Sequence, residues 1–169
     1  MSKRILTGLS MGVAFAGAVC ARKEAPATAP AASGLVTDKA LVDGHLTEIA
    51  HSKWDGGRTA DLFDTDPKTL ARTENANPAI LEFHLPEPRP LKGISITLGG
   101  TDYAVTATLQ PQGGGPAKTF SREFRQMQPD PTLELDFDTG AEPIAALRVE
   151  IRDLQGGDGH IHIRTVKLP

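Results

Sequence analysis

Four groups of residues in this 169-residue chain have types and spacings that chemistry could use. Gly8-Leu9-Ser10-Met11-Gly12 satisfies the G-x-S-x-G pattern of a hydrolase nucleophile elbow. That motif works only on a sharp strand-to-helix turn, and here it lies inside an apolar N-terminal leader. His160 and His162 alternate in HIHIRTVKLP and so fall on one strand face, where two imidazoles could seed a metal site. No cysteine or third histidine is near them in sequence, and they are expected to face solvent. The 21 acidic residues supply many carboxylate pairs, but a glycosidase needs a defined separation across a cleft, which a sequence does not fix. The fourth group is LFDTDPKT, in which Asp64 and Asp66 have the side chains that accept backbone N–H groups and close a tight turn. No nucleophile, base or metal constellation is complete, so the chain is expected to bind rather than catalyse.

The elements that must position these residues are read from pattern. Residues 1–21 begin with Lys3 and Arg4 and continue as an uncharged apolar run, the pattern of a signal peptide. The run is shorter than the roughly 18 to 20 apolar residues that span a bilayer, so no transmembrane span is expected. Cleavage can follow Ala18 or Ala21, and Cys20, the single cysteine, resembles the acylated cysteine of bacterial lipoproteins. Both fates place the mature chain outside the cytoplasm: secreted, periplasmic, or lipid-anchored at the cell envelope. Residues 22–34, RKEAPATAPAASG, have almost nothing to bury and read as a flexible linker, leaving 35–169 as one folded domain without disulfides. Removing the leader leaves 18 − 2 = 16 basic against 21 acidic residues, a net charge of −5. That balance argues against nucleic acid as a partner, since phosphate neutralisation needs a concentrated basic surface.

Beyond Leu35 the apolar residues recur with period two, as in Leu81-x-Phe83-x-Leu85, Ile94-x-Ile96-x-Leu98, Tyr103 to Leu109, Leu133 to Phe137 and Leu147-x-Val149-x-Ile151. Such alternation belongs to half-buried antiparallel strands. Ile161 and Ile163 are out of phase with Val166 and Leu168, which predicts a bulge near Arg164 or Thr165. Residues 38–51 read as a helical turn or two around Leu41 and Ile49, interrupted at Gly44. About eight strands separated by Gly- and Pro-rich turns predict an all-β antiparallel sandwich of jelly-roll type.

The order of elements from Ile49 to Gly99 is a strand, a Gly loop, L-F-D-x-D-x-x-T, a polar loop ending in Asn77-Pro78, then two strands split by LPEPRP. It resembles the discoidin-like domains (F5/8 type C, galactose-binding-like), which include many carbohydrate-binding modules, over about residues 46 to 168. The resemblance implies a non-catalytic module for a carbohydrate or cell-envelope glycan, gripped by loops at one end of the sandwich. The matching loops offer Trp54, Arg58, Arg72, Glu74 and Asn75, with Trp54 as an aromatic platform or else as part of the core. It also implies a structural calcium: Asp66 and Thr69 match its ligands, and Asp64 matches the preceding acid that shapes the turn. Thr65 stands where a glycine is common, and Thr165 near where the C-terminal strand usually supplies an acid. The alternative is a structural or protein-interaction module, monomeric like the first, that contacts an envelope protein. A sugar site in which Trp54 is the platform predicts Trp54 exposed beside Arg58 or Arg72, whereas an interaction module predicts an exposed apolar patch.

Overall fold

The computed structural model describes residues 34–156 and 159–169. The expectations for the leader, for Cys20 and for the linker up to residue 33 lie outside the described residues. Among the described residues eleven strands run β1 Val36–Val42, β2 His45–His51, β3 Trp54–Gly56, β4 Ala71–Thr73, β5 Ala79–Arg89, β6 Gly93–Gly99, β7 Tyr103–Pro111, β8 Lys118–Phe124, β9 Thr132–Asp136, β10 Ile144–Asp153 and β11 His162–Lys167. A 3-10 helix, Thr59–Phe63, follows β3. All pairings are antiparallel, in a six-stranded sheet of order β1-β2-β5-β10-β7-β8 and a five-stranded sheet of order β3-β4-β11-β6-β9. Among the described residues no helix is long and apolar enough to cross a membrane.

The period-two residues of both sheets meet in one core. Across the larger sheet the register aligns Ile49, Phe83, Leu147 and Leu109 side by side, and all four are fully buried. Ile94, Ile96 and Leu98 of β6 and Ile163 and Val166 of β11 join them from the smaller sheet, while the ring of Phe63 meets Phe83 edge-on at 6.3 Å. On the outward face, Arg148 pairs with Glu82 across the strands and with Glu150 at 3.0 Å, as expected for a solvated charged face. The predicted bulge is present: the β11–β6 register shifts between Ile163 and Thr165. A second irregularity, opposite Leu85 to Pro88, falls where Pro86 and Pro88 have no N–H to give to the ladder.

Two expectations are corrected. Residues 38–51 are not helical; they form the β1–β2 hairpin, closed at Val42↔His45 by Asp43 (φ 52°) and Gly44 (φ 83°). An Asp-Gly pair reaches the left-handed conformation that a two-residue hairpin turn requires, and this outweighs the sparse apolar spacing that suggested a helix. The strand count is eleven rather than about eight, because β3 and β4 are three residues each and too short to show a period.

The core row sets an energetic contrast. Phe83→Ala is expected to lower the unfolding free energy by about 3–5 kcal/mol through loss of burial and the cavity left behind. Leu41→Ser, on the exposed side of the hairpin, is expected to change it by no more than about 0.5 kcal/mol. Urea unfolding of the two variants measures both.

Candidate binding cleft on the short strands

The site is built on the β3–β4 ribbon. Ala71 and Thr73 point into the core, so Arg72 between them points outward, opposite His162 of β11 and Gly56 of β3. Arg72 grips Asp55 with two bonds, Nε to Oδ1 at 2.7 Å and Nη2 to Oδ2 at 3.1 Å. That bidentate contact holds the Asp55 carboxyl below the usual carboxylate range, with a smaller contribution from His160. Neither histidine of the last segment is fully solvent-facing, as the sequence had suggested: His162 is half-buried, and His160 Nδ1 lies 2.6 Å from the Thr73 carbonyl and 3.6 Å from Asp55. An open cleft of about 510 Å³ is lined here by Gly56 and Gly57, Asp61, Lys68 to Leu70, Arg72 and His162.

Its walls are fixed by the backbone. Gly57 has φ 74°, and a Cβ there would sit 1.9 Å from the Leu70 carbonyl oxygen, so only glycine lets the two segments approach. Arg58 precedes the 3-10 helix; its N–H donates to Asp61 Oδ2 at 2.9 Å and its guanidinium to Asp61 Oδ1 at 3.0 Å. Arg72 therefore lines the cleft, while Arg58 is tied to its wall through Asp61.

Trp54 is elsewhere. It pairs with Thr73 rather than Arg72 and so takes the inward face of the ribbon. Its half-buried ring stacks on His51 at 4.6 Å with a 9° interplanar angle, and its N–H donates to Thr59 Oγ1 at 3.0 Å. Glu74 and Asn75 occupy the turn after β4. Glu74 pairs with Lys53 at 2.5 Å, and Asn75, with φ 49°, packs near Gly159.

The acidic turn is held by its own bonds. Asp64 Oδ1 accepts the Asp66 N–H and the Thr69 hydroxyl, both at 2.9 Å, and Asp66 Oδ1 accepts the Lys68 N–H at 2.9 Å. Asp64 thus both shapes the turn and meets Thr69 with its carboxylate, while Asp66 offers Thr69 its carbonyl at 2.8 Å. The Asp61 carbonyl lies 3.4 Å from the same hydroxyl. Three oxygens thus surround a hydroxyl that has one proton to give, an all-oxygen donor set that fits a hard cation such as calcium. Only one carboxylate is in it, and among the described residues no three acidic, histidine or cysteine side chains gather in one place. Arg164, at the bulge, also reaches this turn, donating to the Pro67 carbonyl at 3.4 Å and to Asp130 at 3.3 Å.

Asp38, His51 and Thr59 are linked residues that motif reading does not reveal. Thr59 Oγ1 lies 2.9 Å from His51 Nε2, the spacing of an activated hydroxyl nucleophile. Thr59 is 2% exposed, however, and its hydroxyl donates to Asp38 Oδ2 at 2.6 Å, so a substrate has no access to it.

No protein-family model matches the chain, and no curated protein matches it. Solved structures do. The F5/8 type C domain of a Bacteroides fragilis protein aligns with a TM-score of 0.57 at 14% identity, covering 72% of this chain and 89% of that one. The family 32 carbohydrate-binding module of Clostridium perfringens NanJ, in complex with galactose, gives 0.56 at 15% identity, covering 72% and 92%. CpGH89CBM32-4 of Clostridium perfringens, in complex with GlcNAc-alpha-1,4-galactose, gives 0.53 at 13% identity, covering 71% and 87%. The sandwich is the discoidin-like fold shared by F5/8 type C domains and family 32 carbohydrate-binding modules.

Proposed function

We propose that this chain is an exported, non-catalytic module that binds a carbohydrate or cell-envelope glycan in the cleft lined by Arg72 and His162, with Arg58 held beside it by Asp61. The observation that carries the reading is the Arg72–Asp55 pair, a guanidinium and a carboxylate locked in one geometry at the edge of an open cleft. Sugar hydroxyls are both donors and acceptors, and an immobilised cation–carboxylate pair beside His162 and the Gly56–Gly57 backbone offers both partners without first having to be ordered. Solved structures of this fold hold galactose and GlcNAc-alpha-1,4-galactose, which supports the same ligand class. In this reading residues 1–21 direct export, Cys20 is acylated or removed with the leader, residues 22–34 tether the domain, and Trp54 supports the ribbon from below.

A second reading, a protein-interaction module at the envelope, is favoured by one observation. Leu41 and Leu46 face each other across the hairpin and are 64% and 60% exposed, and they adjoin Ala60 and Phe63 in a shallow apolar hollow. Calorimetric titration with a panel of mono- and oligosaccharides separates the two. A glycan-binding cleft predicts that Arg72→Ala weakens the best ligand by at least about tenfold, the worth of one hydrogen bond to a charged group, and that Leu41→Ser with Leu46→Ser leaves it unchanged. Absence of any glycan binding transfers the proposal to the hairpin patch. Because the folded Asp55 pKa is depressed, the pair persists as pH falls through the ordinary aspartate value of about 3.9. The part of glycan affinity that Arg72→Ala removes should therefore persist from neutral pH to about pH 4 and be lost only below it.

The Asp64–Thr69 turn takes calcium as a structural element in this proposal, through the Asp64 carboxylate, the Asp66 carbonyl and Thr69. With one carboxylate the affinity belongs to the weak class, about 10⁻⁴ to 10⁻³ M. Millimolar calcium is expected to raise the Tm of the wild type and not of Asp64→Ala. A Tm indifferent to calcium and to chelator leaves the turn held by its hydrogen bonds alone.

A further inference from the structure

Asp38, His51, Trp54 and Thr59 come from four different elements and meet where the hairpin passes beneath the ribbon, and their protons can be counted. His51 Nδ1 lies 2.8 Å from the Ser52 carbonyl, which only accepts, so Nδ1 carries a proton. Thr59 Oγ1 accepts the indole N–H of Trp54. Its own proton must go to Asp38 Oδ2, because two bare oxygens at 2.6 Å would repel. His51 Nε2 then faces Asp38 Oδ2 at 3.1 Å and Thr59 Oγ1 at 2.9 Å, and neither oxygen has a proton left for it. A bare Nε2 would set three lone-pair atoms against one another where His51 is 1% and Thr59 2% exposed, a costly arrangement away from water. Placing the missing proton on Asp38 does not serve, since its side chain is 48% exposed and the hydrogen bond from Thr59 holds its carboxyl below the usual range. A proton on Nε2 turns both contacts into hydrogen bonds.

We infer that His51 is held as an imidazolium in the folded protein, and that its ion pair with Asp38 is a proton-dependent latch joining the β1–β2 hairpin to the Thr59–Phe63 helix and backing the ring of Trp54. Among the described residues, His51 is faced by Val36 and Asp38 from β1, Leu81 from β5, Trp54 from β3 and Thr59 from the helix. Asp38 is the one charged group of the five. The nearby charges of Lys53 and Arg58 are paired with Glu74 and Asp61. The flat stack of the ring on Trp54 adds cation–π attraction that only the protonated imidazole has. The latch needs Asp38 ionised, so on the acid side it is lost as pH falls through the depressed folded value, and it needs the proton on His51, so on the alkaline side it opens when that proton is removed.

Nitrogen-15 NMR of the full chain with labelled histidine reads the proton directly. At about pH 7.5, where free imidazole is about nine-tenths neutral, both ring nitrogens of His51 are expected to show protonated shifts and one-bond N–H couplings. A lone-pair signal from Nε2 at that pH overturns the inference. Asp38→Asn, on a half-exposed edge strand, tests the latch without emptying the core. It is expected to return Nε2 to the lone-pair signal and to speed amide hydrogen exchange in β1, β2 and Thr59–Phe63 by about tenfold relative to β5 and β10. Unchanged exchange in those segments, with His51 neutral, would show that the pair holds no latch. Thr59→Val supplies the second variant: it removes the hydroxyl while keeping the volume, and it should leave His51 protonated on Asp38 but loosen Trp54, the sole tryptophan, which a shift in emission reports.

Discussion

The row Ile49, Phe83, Leu147 and Leu109 is the constraint on which the rest of the structure depends. Burying four large side chains across four neighbouring strands fixes the phase of each strand, because side chains alternate and a slip of one residue would turn every one of them outward. The phase of β2 that buries Ile49 must also bury Thr47 and His51. A buried threonine or histidine needs hydrogen-bond partners, and Thr47 finds the His45 carbonyl while His51 finds Asp38, Thr59 and the Ser52 carbonyl. The polar cluster at the sandwich edge is thus a consequence of apolar packing in its centre.

The same rule of alternation decides the composition of the cleft. Thr73 and Arg72 are neighbours in β4, so the side chain paired with one cannot share a face with the other. Trp54, paired with Thr73, goes to the core side, and Arg72 goes to the outside with Asp55 and His162. The aromatic platform and the guanidinium that a sugar site would combine are separated by the thickness of a two-strand ribbon. What remains on the outer side is an open cleft whose backbone approach depends on Gly57 and whose two flanking carboxylates, Asp55 and Asp61, are already held by arginines.

Legibility in the sequence followed the length of each element. β5, β6, β7 and β10 run seven to eleven residues, long enough for period two to stand out, and the out-of-phase Val166 and Leu168 mark the bulge in the sequence itself. β3 and β4, at three residues each, carry no period, and β8 is largely exposed and pairs only with β7. The hairpin was misread because Leu41 and Ile49 suggested a helical stripe, whereas Asp43-Gly44 held the stronger local signal. For the site, residue type singled out Arg72, which lines the cleft, and the Asp64–Thr69 turn. It could not place Trp54 on a face, nor find Asp55, Asp61 and His162 as cleft neighbours, since those juxtapositions arise from strand pairing. The burial of His51 was available from the Thr47-x-Ile49-x-His51 alternation. Its partner Asp38, thirteen residues away across the hairpin, was not.

The His51–Asp38 pair also bears on how β1 finds its register. Most strands of this sandwich are registered by large apolar residues, but β1 buries only Ala40 and Val42, with Val36 and Leu41 outside. That is a weak hydrophobic signature, and a strand of this kind at a sheet edge is prone to slip or to pair with another chain. Two features compensate. The Asp43-Gly44 turn sets the loop length, and Asp38 must reach both His51 and Thr59, which only one register permits. An ion pair with one partner half-exposed adds little net stability; its effect here is to make every other register leave a buried imidazole unpaired. Specificity at the edge is thereby obtained from charge where apolar volume is lacking.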